Sequence, residues 1–372
     1  MTVHRTGGFS ALFVILGIAS ARAQGDSTRV STTRAGLDGP AIAAGPNGYA
    51  VAWGERHDKG GHLVDPKMAF ALLDPKGKTI KGPRYGAGLD LHLAQRRLIW
   101  NGHDYTVVAC AQRQPANLKS LVVWGHLDGE AGFHESGRVV VDGSTIVCNQ
   151  PQIEGDKVIL GIQMDGREGM DLTEVTPANC YVRFVALGDH EATPVGKDLK
   201  LCTALARGTS QTLGTNHKNA FRLLDDKGKA SPKTGVKAPL AAARSGTGTI
   251  VLDVVGDQLQ FVRLDPTLKV EGAGAIHDPP HASDLRVLRP DLVAIYDLLT
   301  PRLEGAFAAP DGTIKQKFEV TLSGRPGDET PSFLDLAARP DALACAYLSG
   351  KDDAQDVYVR IIPAPTVTAA AH

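Results

Sequence analysis

Apolar and polar residues alternate along most of the chain in short runs, broken by tight polar turns, and this period of two is the signature of half-buried strands. The clearest example starts at Gly39. Pro40 to Ala44 alternates, Gly45-Pro46-Asn47-Gly48 breaks it, and Tyr49 to Trp53 alternates again. Asn-Gly is suited to the positive φ that a tight hairpin turn demands. A polar stretch, His57 to Lys67, reads as a loop, Met68 to Asp74 as a third strand, Pro75-Lys76-Gly77 as a turn and Lys78 to Pro83 as a fourth strand.

The unit recurs with drift. Leu98 to Cys110 and Leu121 to Gly129 make a second unit, and Gln152 to Gly161 with Tyr181 to Asp189 a third. Ala220-Phe-Arg-Leu-Leu-Asp-Asp-Lys-Gly228 echoes Ala69-Phe-Ala-Leu-Leu-Asp-Pro-Lys-Gly77 and marks a fourth. Leu240 to Ile276, Leu285 to Leu322 and Phe333 to Pro363 hold a fifth, sixth and seventh. Pro290 to Leu299 admits a helical reading but also fits the repeat as a strand. Four short antiparallel strands in roughly fifty residues match one propeller blade, which is too thin to bury both faces until it stacks on neighbours. The expected fold is therefore all-β, a single propeller of seven four-stranded blades. Six or eight blades, or a pair of β-sandwiches, are the alternatives. The seventh unit stops after its third strand, and Ser27 to Thr33 is a β-prone stretch with no partners of its own. That stretch is expected to supply the missing outer strand and close the ring, which removes a free edge.

The pattern Pro40-x-Ile-Ala-x-Gly-x-x-Gly-Tyr-x-Val-x-Trp53, with its following strand and Asp-x-x-Gly turn, resembles the divergent repeats of secreted bacterial β-propellers. The likeness spans most of residues 27–363 and is close only in the first unit. It implies a fold and no particular activity. The Trp-Asp signature of adaptor propellers is absent, and Pro310-Asp-Gly-Thr-Ile314 matches only the centre of a sialidase-type turn.

Residues 1–23 read as an export signal: His4 and Arg5, an apolar run from Ala11 to Ala19, and the cleavage site Ala21-Arg22-Ala23. The run is too short to span a bilayer, which takes about 20 apolar residues. Residues 24–365 form the propeller domain, and 366–372 an Ala-rich disordered tail. The chain of 372 residues carries a formal charge of −1, and 5% of its residues are aromatic. Loss of Arg5 and Arg22 brings it near −3. No electrostatic footprint for nucleic acid or anionic lipid is left. Export permits disulfides. Cys148 and Cys202 each precede the innermost strand of adjacent units, and Cys180 ends the longest loop. One bridge is expected among them, Cys148–Cys202 first, with Cys180 the alternative partner. Cys110 and Cys345 occupy matching second strands and read as buried free thiols.

On a propeller, the loops between second and third strands share one face with the connections between blades, and that face is the expected ligand face. Its candidates are His57, His62 and Asp65 in the first unit, Asp165, Arg167, Glu168 and Asp171 in the third, and Asp352 and Asp353 in the seventh. Two imidazoles and a carboxylate suit zinc or copper, but here they sit on a Gly-rich loop with no preset geometry. Asp165, Glu168, Asp171 and Glu174 offer hard oxygen ligands, which leaves calcium the one weak cofactor expectation, without the Asp-x-Asp-x-Asp-Gly order. Asp352, Asp353 and Asp356 read as a soluble hairpin tip. A sialidase-like centre would draw on Arg96, Arg97, Arg244, Arg286 and Tyr296, which no spacing unites, and Arg34 and Arg244 read more simply as surface residues. Nucleophile elbow, zinc helix, P-loop and dinucleotide motifs are all missing.

The first functional expectation is a monomeric, non-enzymatic exported scaffold that binds a protein or glycan through its loop-rich face. The alternatives are a polysaccharide hydrolase or lyase that depends on Asp65 or Asp165, and a structural module of an envelope assembly.

Overall fold

A computed structural model describes residues 21–22, 27–32, 36–59, 62–86, 95–112, 119–142, 146–165, 180–216, 221–230, 235–299, 301–324, 331–351 and 354–366. Its strands form seven antiparallel sheets, in chain order, and no helix occurs among these residues. Blade 1 is Gly36–Gly45, Gly48–Lys59, His62–Leu73 and Thr79–Gly86; blade 2 is Gln95–Trp100, Tyr105–Gln112, Lys119–Leu127 and Phe133–Asp142. Blade 3 opens on two short pieces, Ile146–Cys148 and Gln152–Glu154, and continues with Lys157–Asp165, Cys180–Leu187 and Ala192–Pro194. Blade 4 has Thr203–Arg207, Gln211–Thr215 and Phe221–Asp225, followed among the described residues by an isolated Leu224–Ala230 bridge. Blade 5 is Pro239–Ser245, Gly248–Val255, Gln258–Leu264 and Val270–Ala275. Blade 6 is Asp284–Arg289, Leu292–Leu299, Arg302–Ala308 and Ile314–Thr321, so the ambiguous stretch after Pro290 is a strand. Blade 7 is Ser332–Arg339, Ala342–Lys351 and Ala354–Pro363. The fold is a seven-bladed β-propeller.

The ring closes as its sequence implies. Thr28–Arg29 pairs with Tyr358 and Val359 as the outer strand of blade 7, and the Val30 amide donates to the Val357 carbonyl at 2.8 Å. Asp356, grouped above with an acidic tip, is instead the latch: it is fully buried and accepts from Arg29 Nε at 2.8 Å and Ser31 Oγ at 2.9 Å. Ala21–Arg22, inside the expected leader, runs parallel to Phe318–Glu319 outside blade 6.

Each pair of neighbouring blades encloses its own apolar cluster, seven in all, including one between blades 7 and 1. Alternation within each strand sends one set of side chains to the preceding seam and the other to the following one. The recurring Asp of the third-to-fourth-strand turns has a role beyond tolerating the turn. Asp74 accepts the amides of Lys76 and Lys78, Asp225 those of Lys227 and Lys229, and Asp265 those of Thr267 and Lys269. At the Asn47-Gly48 turn φ is +142°, and a Cβ at Gly48 would run into the Leu73 carbonyl. Only glycine fits there.

Two disulfides bind blade 3 to both neighbours: Cys110–Cys148 toward blade 2, with Cα atoms 6.1 Å apart, and Cys180–Cys202 toward blade 4, 5.0 Å apart. The Cys148–Cys202 pairing does not form, and Cys110 is not a free thiol. Cys110 lies late in a second strand and Cys148 early in the next blade's first strand, which puts them across one seam at one end of the ring. Cys345 is buried and free, as expected. The polar stretch after Trp53 is also not an open loop. The second and third strands of blade 1 stay paired through His57–Val64 and Lys59–His62, because the backbone bonds of a hairpin do not require apolar side chains.

Candidate functional site

The first strand of each blade lines the axis. Together these strands enclose a cavity of about 530 Å³, within the range typical of small-ligand sites. Most contributing residues belong to first strands, chiefly their later halves: Ile42–Ala44, Leu98–Trp100, Asn149–Ile153, Ala204–Arg207, Ala242–Arg244, Arg286–Val287 and Leu336–Ala338, joined by Ile159, Gly161 and Phe184 of blade 3. First strands run away from the loop-rich face. The cavity therefore lies toward the opposite end, where the turns between first and second strands sit.

Its wall is chemically divided. Blades 7, 1 and 2 contribute aliphatic side chains and Trp100, which meets Tyr105 edge-on at 5.0 Å. Blade 3 contributes the amides of Asn149, Gln150 and Gln152, and blades 4, 5 and 6 contribute Arg207, Arg244 and Arg286. Gln150 ties the wall together by donating to the Leu98 carbonyl at 3.1 Å. Asn149 Nδ2 and Gln152 Oε1 are buried in this wall without a hydrogen-bond partner among the described residues, an arrangement that costs about 1–3 kcal/mol per group.

The three guanidinium groups are held differently. Arg207 has a side chain only 2% exposed; it pairs with Glu154 at 3.2 Å and Asp226 at 3.0 Å, and its guanidinium stacks on Phe184 with 4.6 Å to the ring centre. Arg286 donates to both Asp284 oxygens at 3.2 and 3.1 Å and to the Leu336 carbonyl at 3.1 Å, with Asp335 at 3.8 Å. Burial opposes its charge, but Tyr296, Asp284 and Asp335 outweigh that and raise its pKa further. Tyr296 donates to Asp284 at 2.7 Å, and burial pushes its phenol well above the ordinary range. Arg244 differs from both. Half-buried on the last turn of its strand, it makes one hydrogen bond, to the Thr247 carbonyl at 3.3 Å, and pairs with no carboxylate among the described residues.

Sequence reasoning named Arg244 and Arg286 but could not unite them, because ring closure rather than spacing brings them to one wall. Arg244, expected at the surface, keeps its one side-chain hydrogen bond exposed and also lines this wall. Arg97 instead donates to the Cys148 carbonyl at 3.0 Å across the seam to blade 3. His57, His62, Asp65 and Asp165 lie on paired strands, with side chains outside the described residues. Arg167, Glu168, Asp171, Asp352 and Asp353 lie outside the described residues altogether. Among those described, no group of three His, Cys, Asp or Glu is placed to hold a metal, and no helix is long and apolar enough to cross a membrane. A repeated Arg-Pro-Asp at residues 289–291 and 339–341 was the signal that sequence reasoning missed. Each arginine pairs with its own Asp and reaches the next blade: Arg289 to the Pro340 carbonyl at 2.8 Å, Arg339 to the Gly45 and Pro46 carbonyls at 2.7 and 2.9 Å.

No protein-family model matches the chain, and no curated protein does. Solved structures do. An uncharacterized protein from Listeria monocytogenes EGD-e aligns over 93% of this chain and 100% of its own, with a TM-score of 0.51 at 9% identity. A puromycin hydrolase aligns over 88% of this chain and 53% of its own, with a TM-score of 0.51 at 11% identity, so this chain spans about half of that enzyme. A protein of unknown function from Dyadobacter fermentans covers 93% and 99%, with a TM-score of 0.48 at 11% identity. At such identities the likeness shows the fold alone.

Proposed function

We propose that this chain is an exported β-propeller that binds a small ligand on its axis and leaves it chemically unchanged. One observation carries this reading: the axial wall is built of aliphatic, aromatic, amide and guanidinium groups, with no carboxylate, imidazole, hydroxyl or thiol among its lining residues. Such a wall can orient and discriminate a ligand, whereas hydrolysis or elimination calls for a nucleophile or a proton-transfer group at the reacting atoms. Export is supported by the leader-like residues 1–23 and by two disulfides, which persist in oxidising compartments such as the periplasm or the extracellular space.

A second reading concerns the loop-rich face, where a protein or glycan would dock. It is supported by the disulfides, which lie toward that face. Cys180–Cys202 anchors the end of the longest connection between a second and a third strand, and anchored loops lose less entropy on binding.

The test is binding without turnover. The mature chain, residues 24–372, is heated with small organic acids, amides and amines, with oligosaccharides, and with calcium, zinc or EDTA. A ligand of the folded state stabilises it by about 2.7 kcal/mol at a hundredfold excess over Kd. The expected result is a raised melting temperature with the ligand recovered intact. Recovery of a cleaved or unsaturated product would overturn the proposal.

A further inference from the structure

We infer that the axial cavity is a site for a small, largely apolar molecule carrying a single carboxylate, with Arg244 as its counter-charge; the inference rests on the axial-binding reading above. Three guanidinium groups reach the wall, and the wall itself contains no carboxylate. Arg207 is already paired with Glu154 and Asp226, and Arg286 with Asp284 and Asp335. Each therefore sits in a local excess of negative charge, and neither calls for an anion. Arg244 has no carboxylate partner among the described residues and spends one N–H on a carbonyl at 3.3 Å. A guanidinium on the cavity wall whose one hydrogen bond is solvent-exposed, and which has no carboxylate partner among the described residues, is open to a ligand carboxylate, whose two oxygens match its planar fork.

The ring's geometry supplies the other half of the ligand. In a ring of seven, blade 5 faces the seam between blades 1 and 2 across the axis. Arg244 thus faces Ile42, Ala43, Ala44, Leu98 and Trp100, a surface whose side chains offer no hydrogen-bonding group except the Trp100 indole N–H. These side chains offer a sugar's hydroxyls or a second carboxylate nothing to pair with except the indole, leaving only the outer backbone edges of the first strands. An aryl or alkyl body with one charged end satisfies both sides, and the volume of about 530 Å³ admits a drug-sized body.

The test compares isosteres. The mature chain is titrated calorimetrically with naphthoate and naphthamide, and with the smaller pair benzoate and benzamide. Trp100 fluorescence reports occupancy of the cavity, and Trp100→Phe removes that signal. The acid is expected to bind roughly tenfold or more tighter than its amide, as hydrogen bonds to charged groups allow. Arg244→Gln should erase this preference, the acid losing far more affinity than the amide, and Arg244→Lys should retain part of it. Arg244 is half-buried near a turn, so both variants should melt like the parent. Equal binding of acid and amide, or a preference that survives Arg244→Gln, would overturn the carboxylate assignment while leaving axial binding in place. Failure of all four probes to bind would overturn the assignment. If, in addition, no other small molecule in the thermal screen moves the melting temperature, axial binding falls with it.

Discussion

The seam between blades 7 and 1 and the seam between blades 3 and 4 hold the same ring together by different means. The first encloses fourteen buried apolar residues, among them Trp53 and Tyr49, each fully buried. The second encloses seven, from strands as short as five residues. What the second seam lacks in apolar contact it makes up with a covalent bridge, Cys180–Cys202, and with Arg207, which stacks on Phe184 and pairs with Glu154 from blade 3 and Asp226 from blade 4. At about 25 cal/mol per Å² of apolar surface, a seam with half the buried side chains loses several kcal/mol of burial. A propeller with one weak seam is an open ring, so the deficit has to be met locally. Cross-linking is the remedy open to an exported chain.

The sharpest way to break the comparison is to hollow out the rich seam. Trp53→Ala removes the largest fully buried side chain and takes away the indole donor of the buried Glu55, a hydrogen bond of 3.0 Å. A large aromatic truncated to alanine in a core costs about 3–5 kcal/mol. The denaturation midpoint should fall accordingly. Hydrogen exchange should show protection lost first at Thr28–Arg29 and Ala354–Pro363, the strands that close the ring. A loss under 1 kcal/mol would mean that this seam does not limit stability.

A somewhat smaller effect is expected from the lean seam. Replacing Cys180 and Cys202 together by serine opens a bridge between residues 22 apart in sequence and should cost about 2–4 kcal/mol. Its distribution is more informative than its size. Blade 4 rests on two small clusters, each of seven buried apolar residues among those described, so amides of Gln211–Thr215 and Phe221–Asp225 should exchange before those of blade 1. Uniform loss of protection would show that the bridge acts on the unfolded chain alone.

The two seams also differ in how far they could be read in advance. The blades were legible because the information is local: alternation, an Asn-Gly or Asp-x-x-Gly turn, then alternation again. Closure by residues 27–33 was legible because an outer strand was missing at one end of the chain and an unpartnered β-prone stretch lay at the other. The disulfide pairing was not legible. Cys110 and Cys345 look equivalent in sequence, yet Cys110 faces the seam to the following blade, where Cys148 meets it, and Cys345 faces the seam to the preceding blade. Which seam a cysteine faces depends on its register in the strand, and whether a partner waits there depends on the neighbouring blade's sequence. The axial wall was hidden for the same reason. Arg244 and Arg286 are unremarkable in their own blades and become a wall only when seven first strands share an axis. The Arg-Pro-Asp repeat was visible as a string, but its purpose, to reach the next blade's turn, exists only in the ring.

The smallest expected effect tests whether that arginine matters in a seam already rich in contacts. Arg339 reaches the Gly45 and Pro46 carbonyls and lies over the Tyr49 ring, 5.7 Å from its centre. Its side chain is 13% exposed, and Pro46 is open to solvent, so its carbonyl can find water once the guanidinium is gone. Arg339→Met keeps much of the stem's packing, and the loss should be about 1 kcal/mol, the net worth of a typical hydrogen bond. A second readout separates charge from packing. Burial lifts the Tyr105 phenol to about 12, and the charge of Arg339 pulls it back down. Without that charge, the tyrosinate absorbance of Tyr105 should appear at higher pH still. The sign for stability follows. A phenol whose folded pKa lies above its unfolded value of about 10 contributes stability in full below that pH and loses it as the pH climbs toward the folded value. The variant should therefore be weaker than the parent near neutrality and should go on losing stability to higher pH than the parent does, because its folded phenol stays protonated after the parent's has begun to ionise. Parallel curves for the two proteins would mean that Arg339 acts on this seam through its carbonyl contacts alone, and that its charge is not felt at Tyr105.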